Sequence, residues 1–430
     1  MNKNKNTDRY ERMKKTSSVH MAMETKKTLK ETVEDFPNNP EGMNYFYKLA
    51  SVFAGEEKIN TNGKKVIATT CIQVPTEIIL AADAYPFRLC AGAYATDQIG
   101  SEYLPAKTCP LVKSTLGMMH LDFYQIDEKP LTVVNPTTCD QKRKLGEISG
   151  DLVDMDYYTL EVPPTKDTEE ARIYWQKVVQ KFTKYVEQIT GNKITRKKLK
   201  SAIKKISAAQ REYRKFYNLR KGKPVIWGKD AILITNTYFY DDVERWTSNM
   251  RKLNEELERK INNEDYVTNS RAPRILLTGS PSIFPNLKIP LLVETLGGVI
   301  VAEEFCSTSR MLYDTVAVDE WFMYDMVPAI ADRYLKPCTC PNFTPNEDRK
   351  RKLLEMIKEF SIDGVIYQSF AGCQLYDMES RKISKALEEN GTTMLLIETD
   401  YSPEDHGQIS TRLEAFIESL KTQKIMERKK

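Results

Sequence analysis

The chain has 430 residues, 41% hydrophobic and 29% charged, a globular balance that excludes wholesale disorder, a collagen-like repeat and a membrane-embedded class. Its formal charge of +4 is nearly neutral for this size, so composition does not mark a dedicated nucleic-acid binder, and eight cysteines are too thinly spread for a disulfide scaffold. At roughly 150 residues per domain, the length predicts two or three domains.

In chain order, residues 1–40 are polar and charged (KNKNTDRYERMKK and onward) and read as a solvated tail or a loosely docked helix. They contain no apolar secretory core, and no run of about 18 apolar residues occurs anywhere. The expected compartment is therefore the cytoplasm, with reduced thiols and no membrane span. A first α/β lobe is expected over 41–166, with strands at Lys65–Thr70 and Leu131–Asn135 and a stop at Pro163-Pro164. The stretch 167–268 breaks the strand–helix rhythm. Its periodicity predicts three helices, Glu169–Ile189, Arg196–Leu219 and Asp241–Ile261, forming a helical insert or linker. A second lobe, 269–430, opens at Asn269–Pro273. It alternates strands Arg274–Thr278, Val299–Glu303, Gly364–Gln368 and Met394–Glu398 with helices Asp348–Phe360, Glu379–Glu389 and Gln408–Lys421. Such alternation implies parallel βαβ units. The expected fold is α/β: two Rossmann-like lobes with parallel sheets joined by a helical insert. Two similar lobes in one chain would suit an old duplication.

The segment 193–223 is strongly basic, with Lys193, Arg196, Lys197, Lys198, Lys200, Lys204, Lys205, Arg211, Arg214 and Lys215 against a lone acid, Glu212. A solvated helical face explains it, and so does an anion-binding surface for cofactor phosphates or a partner protein. No recognition motif for nucleic acid accompanies the charge.

Several common sites are missing. There is no G-x-x-x-x-G-K-[ST] phosphate loop, no G-x-G-x-x-G after a strand, and no H-E-x-x-H among three histidines, His20, His120 and His406. Cysteines are the remaining chemical resource. Cys139 (NPTTCD), Cys306 (VAEEFCS) and Cys373 (QSFAGC) each lie just past a predicted strand, where open parallel sheets collect their chemistry. Cys109 (TCPLVKS) precedes a proline suited to a helix start, where backbone N–H groups stabilise a thiolate. Taken singly, each cysteine reads as a buried structural thiol. Taken together, thiols from two lobes with few histidines suit an iron–sulfur cluster or zinc in a cleft between the lobes. Cys71 and Cys90, inside apolar stretches, read as structural. Cys338 and Cys340 (KPCTCP) stand between the two readings.

The surroundings of these cysteines resemble the 2-hydroxyacyl-CoA dehydratase family, which includes benzoyl-CoA reductase subunits and double-cubane cluster proteins. The likeness runs through VPTEIILAADAYPFRLC (74–90), TCPLVKSTLG (108–117), NPTTCDQKRK (135–144), VDEWFMYDMVPAIADRYL (318–335) and YLKPCTCPN (334–342). It is most specific in DGVIYQSFAGC (363–373) and IETDYSPEDHGQISTRLEAFIESL (397–420). The resemblance implies two α/β lobes around a [4Fe-4S] cluster on Cys109, Cys139 and Cys373. It also implies an acid near the substrate at Glu77, whose other reading is a first-turn helix carboxylate. Its implied chemistry is a low-potential electron given to an acyl-CoA thioester, making a ketyl radical anion that expels the 2-hydroxyl. An activator ATPase carrying its own iron–sulfur cluster drives the electron, in keeping with the missing phosphate loop. A rival within the family is a double-cubane [8Fe-9S] cluster needing six thiolates, with Cys306, Cys338 and Cys340 as the second set, in a reductase of small molecules. Ser280 and His120 lie near places where some relatives carry further cysteines. A third reading is an electron-relay subunit. Either a homodimer or a heterodimer with a paralogous subunit is expected.

Overall fold

β-Branched and apolar runs set the strands, and helices cover both faces of each sheet. The structure, a computed structural model, describes residues 3–55 and 57–427. In the first lobe β1 (Val66–Thr69), β2 (Tyr85–Arg88), β3 (Pro130–Pro136) and β4 (Asp156–Leu160) form a parallel sheet ordered β2-β1-β3-β4. In the second, β5 (Arg274–Gly279), β6 (Val299–Glu304), β7 (Gly364–Phe370) and β8 (Met394–Thr399) form another, ordered β6-β5-β7-β8. The two sheets share one topology. The central strands β1, β5 and β7 are almost wholly buried, as continuous apolar strands flanked by helices must be. Register sets Thr69 opposite Arg88 and Val134, and Thr278 opposite Glu304 and Tyr367, so that β3 projects beyond β1, and β7 beyond β5, at the carboxyl end.

Two strands carry little sequence signal. β2 is four residues long and contains Pro86, which only a sheet edge tolerates. β4 (DYYTL) is the opposite edge and is largely solvated. The segment after 167 holds four α-helices: Glu169–Thr190, Arg196–Leu219, Gly228–Asn236 and Val243–Asn262. The extra one, Gly228–Asn236, is buried along its whole length, so it lacks the polar face that makes periodicity visible. It lies directly on β6: a Cβ on Gly228 would sit 2.4 Å from the Cβ of Ile300.

Strands β5–β8 follow residue 269, whereas the helix Met323–Leu335 from the same stretch packs on the first lobe. Its Met326, Ile330 and Leu335 join Ile67, Val134, Trp175 and Phe182 in one apolar cluster, and Trp175 Nε1 donates to Ala331 O at 2.9 Å. On the basic helix Arg196–Leu219, Lys198, Lys205 and Lys215 pair with Asp83, Glu244 and Glu258, while Arg196 stacks 4.0 Å from the Phe322 ring centroid and Lys200 lies over Trp321. Among the described residues, no helix is long and apolar enough to cross a membrane.

Residues Lys3–Glu34 form one helix. It docks through buried Met21, Thr25 and Thr32, and through the Glu24 carboxylate, which accepts the N–H groups of Tyr94 and Ala95 at 2.9 Å each. Burial raises the Glu24 carboxyl to about 6 against the pull of those two donors. Glu24→Ala is expected to leave the start of the helix Tyr94–Gly100 uncapped and cost about 1 kcal/mol. A chemical-denaturation midpoint indistinguishable from that of the unaltered chain would contradict this.

Candidate metal centre

The turns that follow the carboxyl ends of the strands face one another across the gap between the lobes. There they enclose a cavity of about 560 Å³. Cys71, Cys90 and Cys139 follow β1, β2 and β3. Cys306 and Cys373 follow β6 and β7, Cys109 opens the helix Pro110–His120, and Cys340 comes from the loop after Met323–Leu335. All seven line the cavity. Every cysteine is a free thiol.

Cys109, Cys139 and Cys373 share one local geometry. Each is the N-cap of a helix: Pro110–His120, Asp140–Leu152 and Gln374–Glu388 respectively. All three cysteines therefore stand at helix N-termini, a position whose unpaired N–H groups favour negative charge, although none of the three side chains makes a cap hydrogen bond. The neighbouring Cys373 thiol, with burial, pushes Cys109 up, and Cys109 in turn draws Cys373 down. Burial raises the Cys139 thiol, opposed by the N–H and the ammonium of Lys142.

The close approach of these turns has a steric cause. Gly372 adopts φ +81°, and a Cβ there would lie 2.2 Å from Lys107 O, so a side chain would drive Cys373 away from Cys109. Ser280, after β5, also borders the cavity. Its Oγ accepts the Phe370 N–H at 3.0 Å, and its hydroxyl lowers the Cys373 thiol. His120 lies at the far end of its helix, 2.9 Å from the Tyr103 hydroxyl, and does not line the cavity.

Cys71, Cys90, Cys306 and Cys340 share the remaining wall with two cations that sequence reasoning does not single out, Arg88 and Lys142. Arg88 donates to Cys90 Sγ and Met311 Sδ, each at 3.4 Å, and Lys142 Nζ donates to Thr70 O. Among the described residues, neither cation forms a carboxylate ion pair. Burial pushes the Cys90 thiol up, and Arg88 with Lys142 overcomes it, leaving Cys90 below its ordinary value. Burial, aided by neighbouring thiols, raises Cys306 and Cys340. Cys71 follows a predicted strand just as Cys139 does, so the rule that singled out Cys139 could have found it. Cys90 follows the strand that the sequence concealed.

Two expected site residues lie elsewhere. Cys338 is buried outside the cavity lining, its Sγ accepting from Gln73 Nε2 at 2.8 Å. Glu77 is fully buried on the helix Thr76–Ala81 and does not line the cavity. Its Oε2 accepts the Tyr334 hydroxyl at 2.7 Å, its Oε1 has no partner, and burial raises its pKa against Arg333.

Chemically, the cavity offers soft sulfur donors, positive charge and apolar walls from Leu111, Val112, Pro281 and Phe370. Among the described residues no three thiol, imidazole or carboxylate groups converge on a single metal ion. Seven cysteines lining one cavity offer soft donors of the kind an iron–sulfur group takes.

All the cavity's lining residues except Thr70 fall within the range 71–420 matched by a family model. The chain is 30% identical over 377 residues to YjiM of Escherichia coli, a protein carrying a dehydratase-subunit name, covering 84% of this chain and 93% of YjiM. It is 23% identical to the beta subunit of (R)-phenyllactyl-CoA dehydratase of Clostridium sporogenes, covering 83% of this chain and 92% of the relative. With the beta subunit of (R)-2-hydroxyglutaryl-CoA dehydratase of Acidaminococcus fermentans it shares 22% identity, over 84% and 94%. The family model described as 2-hydroxyglutaryl-CoA dehydratase, D-component, matches residues 71–420, from the first cavity cysteine to the last helix, and the chain belongs to that family.

Proposed function

We propose that the cavity carries an iron–sulfur cluster on Cys109, Cys139 and Cys373, and that the chain is a component of a dehydratase removing water from a 2-hydroxyacyl-CoA. The single observation supporting this most is the meeting of three N-cap thiols from two lobes on one cavity. When bound, such a cluster supplies a strongly reducing electron and a Lewis-acidic iron, which side chains cannot. The chain's own part is electrostatic and steric. The three helix starts stabilise the ligands as thiolates. Arg88 and Lys142 oppose the negative charge that develops on a thioester carbonyl when it is reduced. Leu111, Val112 and Phe370 keep water from the reducing centre. Glu77, away from the cavity, has no catalytic part in this reading.

The partners in this reading are an acyl-CoA and an activator ATPase with its own iron–sulfur cluster, since this chain has no phosphate loop. Two relatives are named as beta subunits, which supports a heterodimer with a paralogous chain over a homodimer. The electron-relay role fits the same dimer. A double-cubane cluster is the second reading, and one observation favours it: Cys71, Cys90, Cys306 and Cys340 line the same cavity, so seven thiols are at hand where six are needed. In that case the second ligand set comes from these four rather than from Cys338.

Iron counting on anaerobically purified and reconstituted protein tests both. About four irons per chain supports the three-thiolate site and about eight the double cubane. A folded, colourless chain that takes up no iron overturns both.

A further inference from the structure

One polar side chain joins all three N-cap cysteine turns. Gln141 is the second residue of the helix that Cys139 caps. Its Oε1 accepts the Cys109 N–H at 2.8 Å, and its Nε2 donates to Gly372 O, one residue before Cys373, also at 2.8 Å. Cys109 and Gln141 belong to the first lobe and Gly372 to the second, so this amide is also a polar link across the gap between them. Both bonds are needed at once, and only a side chain of this length with an acceptor and a donor at its tip supplies them. Glutamate keeps the acceptor and loses the donor. Leucine loses both.

We infer that Gln141 is a positioning residue for the metal centre: it holds the Cys109 and Cys373 turns at a fixed spacing from Cys139 without being a ligand. The inference rests on the cluster reading for its consequence but not for its geometry. The close approach of Gly372 to Lys107 brings the two turns together without fixing their distance. The amide fixes it, because a hydrogen bond is directional where a van der Waals contact is not.

The test has two arms on the full chain. With cluster loaded, iron release to a ferrous chelator is expected to be about tenfold faster in Gln141→Leu, the worth of one or two neutral hydrogen bonds. Gln141→Glu, which keeps the Cys109 bond, is expected between the two, and both variants should show altered low-temperature electron paramagnetic resonance of the reduced protein. In the metal-free chain, the rate of Cys109–Cys373 disulfide formation under diamide, followed by peptide mass spectrometry, is expected to fall severalfold in both variants. Should Gln141→Leu fail to fold, the Gln141→Glu comparison carries both arms. Release and disulfide rates within twofold of the unaltered chain would overturn the inference. If the unaltered chain binds no iron, the cluster reading fails, while the disulfide arm still decides whether Gln141 sets the spacing.

Discussion

Cys373→Ala and Cys139→Ala are each expected to abolish the visible absorption of the anaerobically purified chain and remove nearly all its iron. Cys338→Ala is expected to leave both unchanged. The contrast follows from placement. Cys139 and Cys373 cap helices whose N-termini point into the cavity, and each would supply one of only three thiolates to a [4Fe-4S] group. Loss of one leaves that group two protein ligands, too few to retain it against solvent thiols or chelators. Cys338 sits behind the wall, outside the cavity lining, with Gln73 as its partner. The same iron assay separates the two cluster readings. Under the three-thiolate reading, Cys306→Ala leaves iron near its starting value; under the double-cubane reading it lowers iron by about half or more. Retention of full iron by both Cys139→Ala and Cys373→Ala would refute the ligand set outright.

How far the sequence reveals this site depends on how each residue reaches it. Cys139, Cys306 and Cys373 are legible because a β-branched run precedes each, and a parallel sheet brings such ends to one edge. The α/β class and the central strands are legible for the same reason. Cys71 obeys the same rule after β1, yet its apolar neighbours read equally well as core. Cys90 is hidden because β2 is short, lies at an edge and contains Pro86. Arg88, Lys142 and Gln141 carry no local signature. Their significance comes from apposition, and spacing along a chain does not encode apposition across 200 or more residues such as that of the Arg88 guanidinium to Met311 Sδ and of the Gln141 amide to Gly372. The helix Gly228–Asn236 shows the converse limit: buried all round, it has no pattern to read.

Arg349→Met is expected to destabilise the second lobe by about 3–5 kcal/mol, the usual cost of stripping one partner from a buried ion network. Arg349 is fully buried. Its Nη1 pairs with Glu304 Oε2, its Nε donates to Glu379 Oε2 at 2.7 Å, and its Nη2 reaches Thr278 Oγ1 at 3.3 Å. Glu304, at the end of β6, also takes Arg310 Nη2 at 2.7 Å and the Thr339 hydroxyl at 2.8 Å. Although burial opposes ionisation, Arg310 and Arg349 hold Glu304 at about 2, so it is a carboxylate at neutral pH. With Arg349 gone, one arginine faces that buried carboxylate, and Glu379 loses its cation. Arg349→Lys should recover only part of the loss, because an ammonium cannot fork between two carboxylates and a hydroxyl. Guanidinium unfolding at neutral pH, monitored separately by far-ultraviolet circular dichroism and tryptophan fluorescence, measures the cost. The network also braces the cavity: Arg310 Nη1 donates to the Tyr376 hydroxyl at 2.9 Å, three residues past Cys373, and Thr339 lies between Cys338 and Cys340. Iron retention in Arg349→Met should therefore fall along with stability. A variant that unfolds at the original midpoint would show that these charges are not what holds the cavity's second wall in place.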